Sequence, residues 1–256
     1  SGAQNNTFLD SSTNNFTITR NGNTAQGTFT PYGSNWSNYF GESGAVYLRI
    51  ADTVSLQMGT GDFTIEGWFY PTASGNERTF YLHGLNSTGG LSLFVGTGGA
   101  RFRAAGQTDL VYSGSISGWA HIAFVRSGNT RTIYVNGSSV ASDTLSFNNN
   151  DAVVTDIGAS TQNASDSFRY RGYISNLRII KGTAVYTAAF TPPTSPLTAI
   201  TNTSLLTCQS NRFIDNSSSP YTLTVTGTPR ITDNSPFVST DSTTGSAYFE
   251  IGRAHV

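Results

Sequence analysis

Residues 119–137 read WAHIAFVRSGNTRTIYVNG, and this stretch decides the fold. Trp119–Arg126 is apolar on both faces, as expected of a strand covered from both sides. Residues 127–130 turn the chain, and Arg131–Val135 returns as a second strand. Asn136-Gly137 predicts a type I′ turn, because both central residues of that turn need positive φ. Ser138–Ser142 completes a three-stranded meander.

On the N-terminal side, Asp62–Pro71 is a strong strand. Phe63, Ile65 and Phe69 face one way, while Thr64, Glu66, Trp68 and Tyr70 face the other. Phe16–Arg20, Val46–Ile50, Arg78–His83, Leu91–Val95 and Ala100–Ala104 read as shorter strands between Gly-rich turns. Val153–Ile157 and Gly172–Lys181 follow on the C-terminal side. Loop 30–45 is rich in Gly, Ser and Asn, and Ala184–Tyr186 suggests one helical turn before a Pro-rich tract at 192–196. A sustained 3.6-residue apolar period is missing throughout. Many short strands with frequent turn signals predict an all-β, antiparallel β-sandwich.

Composition narrows the function classes. Aromatic residues make up 12% of the 256 residues, enough apolar surface for a sizeable core, yet charged residues are only 11%. The polar surface therefore falls to Ser, Thr, Asn and Gly. A net charge of −1 without a basic block gives no footprint for nucleic acid or an acidic membrane. No apolar run is long enough to span a bilayer as a helix, so membrane insertion is not expected. Cys208 is the sole cysteine, which rules out an intrachain disulfide and reads as a small buried hydrophobe.

The sequence also matches itself. Residues 3–22 align with 208–227 at a constant offset of 205, pairing Phe8 with Phe213, Asp10 with Asp215, Ser12 with Ser217, Thr17 and Thr19 with Thr222 and Thr224, and Gly22 with Gly227. The register persists at Thr30-Pro31-Tyr32 against Ser235-Pro236-Phe237, and after a four-residue insertion Tyr39-Phe40 falls on Tyr248-Phe249. Biased composition does not produce a register that includes Phe, Pro, Gln and Asp, so a tandem repeat is expected. The organisation read from this is residues 1–39 as the end of a preceding linker, 40–190 as a sandwich, and 191–249 as a Pro/Ser/Thr linker with the start of the next repeat. Residues 250–256 read as translated sequencing adapter, since IGRAHV is what ATC GGA AGA GCA CAC GTC encodes.

FTIEGWFYP at 63–71, WAHIAFVRSGNTRTIYVNG at 119–137, and IGA at 157–159 followed by GYISNLRIIKG at 172–182 resemble, in order and spacing, the laminin-G-like branch of the concanavalin A-like lectin/glucanase superfamily. The resemblance implies a jelly roll of two large antiparallel sheets. The tract GTAVYTAAFTPPTSPL at 182–197 is similar to repeated virion structural and phage tail-fibre-like proteins. Where the family often carries an acidic pair in its last core strand, this chain has Ser175-Asn176.

Hydrolysis in this superfamily needs two carboxylates across a cleft. This chain offers Asp62 and Glu66, with Thr64 where a carboxylate would stand, so Glu66 is read as structural and an enzyme is not expected. His83 and His121 are read as packed, hydrogen-bonded histidines. Relatives holding Ca²⁺ at the sandwich rim imply loop donors, here Asp143, Asp151, Asp156 and Asp166. Loop aromatics that could stack on the C–H faces of sugars are Trp36, Tyr39, Tyr112 and Tyr170. The expected function is a non-catalytic carbohydrate-binding or adhesion module of a repeated extracellular or virion protein. Its partners would be cell-surface glycans and other repeats of the same chain. A ligand-free virion spacer or decoration domain is the alternative, and a glycoside hydrolase is the third reading.

Overall fold

In the computed structural model, described residues are 37–40, 46–84, 89–158, 168–208, 213–226 and 229–232. They fall within one compact unit spanning residues 34–238. The expected strand at Phe16–Arg20 lies outside them.

Antiparallel pairing builds two sheets. In chain order the strands are β1 (Ser37–Phe40), β2 (Tyr47–Ile50), β3 (Phe63–Pro71), β4 (Thr79–His83), β5 (Leu91–Gly96), β6 (Gly99–Ala104), β7 (Leu110–Tyr112), β8 (Ala120–Ser127), β9 (Thr130–Val135), β10 (Ser138–Thr144), β11 (Thr155–Ile157), β12 (Gly172–Lys181), β13 (Thr203–Thr207), β14 (Thr224–Thr226) and β15 (Arg230–Thr232). The larger sheet runs β10-β9-β8-β3-β12-β1-β15, with β13 also pairing β12, and the smaller runs β14-β2-β11-β4-β5-β6-β7. This is the jelly-roll sandwich expected from the sequence.

The core lies between the sheets. Phe63, Ile65 and Phe69 of β3 and Ile122 and Phe124 of β8 meet Leu93, Val95 and Phe102 of the smaller sheet, all fully buried. Rings interlock edge to face, as between Phe69 and Phe80 at 4.5 Å. Each fully buried Phe or Leu contributes about 1.5–3 kcal/mol of transfer free energy.

The meander takes the expected form. Two residues, 128 and 129, connect β8 to β9, and the Asn136-Gly137 turn has φ of 48° and 80°. Gly137 is needed twice over. A Cβ there would also stand 1.8 Å from the Phe190 carbonyl oxygen, where a later segment crosses the turn.

Three expectations give way. Residues 184–186 form no helix; that segment is irregular, and Ala184 and Tyr186 pack on the larger sheet. Loop 30–45 contains β1, whose Ser37 and Asn38 are fully buried polar residues. The tract 191–249 is not simply a linker, because its described part supplies β13, β14 and β15 to both sheets. Propensity under-reports such strands, which owe their place to a preformed edge.

Strand β12 is irregular. Its pairing with β3 slips between Ser175 and Arg178. Asn176 sits at φ 54°, and Gly67 of β3 leaves room for the bulge, since a Cβ there would meet the Leu177 Cα at 3.3 Å. Inward residues on β12 are therefore Ile174, Leu177 and Ile179, not a strict alternation.

Candidate functional site

The outward face of the larger sheet carries a row of aromatic rings. Cross-strand register sets Tyr39 of β1 opposite Tyr173 of β12, and Tyr173 opposite Tyr70 of β3. Phe69 pairs Ala120, so Trp119 comes next in line beyond Tyr70. Their neighbours Phe40, Ile174, Phe69 and Ala120 are buried in the core, so alternation turns all four rings outward. Each is half-buried.

Ring centroids lie 4.9 Å apart for Tyr39–Tyr173, 5.9 Å for Tyr173–Tyr70 and 5.8 Å for Tyr70–Trp119. Interplanar angles of 46°, 88° and 73° make this a set of tilted and edge-to-face contacts. Such contacts satisfy the ring quadrupoles and hold each ring in place. At strand spacing the row spans roughly 15 Å. Preorganised rings with apolar faces can take the C–H face of an extended ligand.

The neighbouring part of the same face is covered. Residues 184–190 lie over Ala123, Val125 and Tyr134, with Ala184, Tyr186 and Phe190 packed on them. Tyr186 and Phe190 stack at 3.6 Å and 8°. Beneath them Glu66 is fully buried. Arg178 donates to its Oε1 through Nε and Nη2 at 2.9 and 2.6 Å, while His121 Nε2 and the Tyr186 hydroxyl donate to Oε2 at 3.1 and 2.7 Å. Burial pushes this carboxyl up, but the His121 hydrogen bond and the Arg178 charge outweigh it, so Glu66 sits below the ordinary carboxylate value. Burial, followed by the adjacent Glu66 charge, raises the Tyr186 phenol well above its usual value. Oε2 holds residues 184–190, the strap, through Tyr186, and Oε1 is taken by Arg178, so both Glu66 oxygens are occupied. Trp68, edge-on to His121 at 5.5 Å, stands between network and row.

The expected sugar-stacking residues separate. Tyr39 belongs to the row. Tyr170 does not, because it is 1% exposed, packs between Phe40 and Phe69, and donates its hydroxyl to the Tyr173 carbonyl. Tyr112 sits on β7, the far edge strand of the smaller sheet, partly buried against the core. Trp36 lies outside the described residues. Sequence reading missed Tyr70, Trp119 and Tyr173 as a group. Their signal was present as outward positions in three strands, but only the register lines them up.

Among the described residues, the expected calcium donors Asp143, Asp151 and Asp156 do not group at one site. Asp143 of β10 accepts two bonds from the buried Arg131, at 2.7 and 2.6 Å. Asp156 of β11, in the other sheet, is 1% exposed and bound by Arg49 at 2.7 and 2.9 Å. Asp151 gives its carbonyl to His83 Nε2, and Asp166 lies outside the described residues. Among the described residues, no three His, Cys, Asp or Glu side chains group as a metal site. His83 is the packed, hydrogen-bonded histidine expected, with Nδ1 on the Thr155 hydroxyl. Burial lowers its pKa, which favours the neutral ring. Cys208 is fully buried, and burial pushes its thiol up to about 12.

Comparison with known proteins places this geometry. Among curated proteins none matches the chain. Similar solved structures include a heptameric SAP-like pentraxin from Limulus polyphemus, at 13% identity and TM-score 0.52, covering 77% of this chain and 94% of that one. Another is a protein from Bacteroides ovatus proposed to bind carbohydrate, at 16% identity and TM-score 0.55, covering 77% of this chain and 59% of that one. At these identities the likeness is one of fold. Residues 40–185, more than half the sequence, match the family described as the concanavalin A-like lectin/glucanases superfamily, in its third laminin G group, and the chain belongs to that family.

Proposed function

We propose that this chain is a non-catalytic glycan-binding module, and that it binds through the row Tyr39, Tyr173, Tyr70 and Trp119. The observation that carries the reading is the row itself: four mutually braced, half-buried rings on a sheet face whose adjoining part the chain covers with its own residues 184–190. Family membership and the Bacteroides ovatus neighbour support carbohydrate as the ligand class. The engagement of both Glu66 oxygens in the strap network supports binding without hydrolysis. Among the described residues no helix is long and apolar enough to cross a membrane. An extracellular or virion setting, with the module repeated along an adhesin, accords with the self-matching sequence and the tail-fibre-like tract at 182–197. Weak sites repeated along one fibre gain through avidity. Calcium is not needed for stacking on the row; a site built from Asp151 would have to draw on residues outside those described.

A glycan array probed with the chain displayed multivalently tests the reading, with and without a chelator. Binding that is lost in the Trp119→Ala/Tyr173→Ala double variant is the expected result. Absence of any binding at high display density, or binding indifferent to both substitutions, would overturn it. Release of reducing ends from a bound polysaccharide would overturn the non-catalytic part.

A further inference from the structure

Residues 213–232 close both sheets at one edge. β14 adds to β2 at the end of the smaller sheet, and β15 adds to β1 at the end of the larger. Three side chains anchor the segment: Phe213, Tyr221 and Leu223 pack against the core. One carboxylate shapes it. Asp215 is 6% exposed and accepts from the backbone N–H of Leu206, Ser217 and Tyr221 and from the Ser217 hydroxyl, each at 2.9 Å. Thr222 and Thr224 face outward, and Val225 is 43% exposed.

The same design stands near the start of the sequence. At an offset of 205, Phe8, Phe16 and Ile18 stand for the three anchors, and Asp10 and Ser12 for the Asp–Ser pair. Thr17 and Thr19 stand for the outward threonines, and Arg20 replaces the exposed Val225. The three apolar anchors and the Asp–Ser pair are kept in kind, and of the two exposed apolar positions Ile214 corresponds to Leu9 while Val225 corresponds to the charged Arg20. In this copy β1 and β2 already carry β15 and β14, so a second closing segment has no edge here to complete.

We infer that residues 3–27 are the closing segment of another copy of this module. They add to its β1 and β2 edges as β14 and β15 do here, placing Phe8, Phe16 and Ile18 against its core and Asp10 at its Asp215 position. The folded unit is then out of phase with the sequence repeat. Each module is finished by residues that the repeat assigns to the next copy. Residues 28–36, at most about 30 Å when extended, are all that separate one module's last strand from the next module's first.

The test joins residues 34–207 directly to residues 3–256, preserving the natural order of the repeat, and compares this tandem with the chain alone by hydrogen–deuterium exchange. The amides of 3–27 are expected to exchange about a hundredfold more slowly in the tandem than in the chain alone. In the tandem, Phe8→Ala with Asp10→Ala should lower the melting temperature of the upstream copy and leave the downstream copy unchanged. Phe213→Ala with Asp215→Ala should do the reverse. Exchange at 3–27 that is the same in both proteins would overturn the inference, as would a Phe8→Ala/Asp10→Ala tandem that melts like its parent. A glycan-array failure would leave this inference standing, since it uses no residue of the aromatic row.

Discussion

Strand β3 passes through two environments on one face. At Thr64 and Glu66 it lies beneath residues 184–190, where Thr64 accepts from the Val185 N–H and Glu66 from Arg178, His121 and Tyr186. At Tyr70 it lies among half-buried rings. Both regions are rich in apolar surface, and they dispose of it differently. The first is sealed by the chain's own residues and braced by a buried ion pair. The second stacks ring on ring and keeps them partly in water. It is this second region that the proposed glycan-binding reading uses. The buried network fixes the strap, and the strap limits the aromatic surface to one row.

The largest effect should come from breaking the sealed region. Glu66→Ala leaves Arg178 buried without its partner and should cost about 3–5 kcal/mol, measured by chemical denaturation. A loss under about 1 kcal/mol would mean that the network is not holding the strap. The same network should show in acid. Because the folded pKa of Glu66 is lowered, its contribution is complete above the ordinary unfolded value near 4.3 and disappears as pH falls through the lower folded value. The melting temperature should fall below about pH 4, and Glu66→Gln should flatten that fall. Phe190→Ala uncovers Val125 and Tyr134 and should cost about 2 kcal/mol while increasing binding of an apolar dye.

The open region should respond in the opposite sense, losing function with little loss of fold. Trp119→Ala should weaken glycan binding about tenfold, or about 1.4 kcal/mol, and shift stability by less than about 1 kcal/mol. Equal losses of stability and affinity would make the row structural. Smallest of all, Tyr112→Ala should leave glycan binding within about twofold of the parent, since Tyr112 lies on the far edge of the other sheet.

Much of the fold was legible because strands with a covered face carry their signal locally. Alternation in 62–71 and the Asn-Gly turn at 136–137 each report on a few adjacent residues. β1, β7, β13, β14 and β15 were harder to read, since short strands at or near sheet edges borrow their conformation from the neighbour they pair with. Tyr170 illustrates the same limit for sites. Beside a polar loop it reads as a surface aromatic, yet it is enclosed by Phe40 and Phe69, both distant in sequence. Asp143 and Asp156 read as loop acids, but each is the fixed partner of an arginine.

By itself the sequence determined the sandwich and the meander that forms one end of its larger sheet, because these rest on periodicity and turn chemistry along the chain, and its motifs carried the resemblance to the family. Tertiary structure decided which side chains share a surface. Strict alternation along Gly172–Lys181 would put Tyr173 and Arg178 on opposite faces. The bulge at Asn176, opposite Gly67, brings both to the outer one, Tyr173 into the row and Arg178 onto Glu66. A residue's face depends on every bulge before it and its neighbours depend on register, and both are set by pairing between strands far apart in sequence.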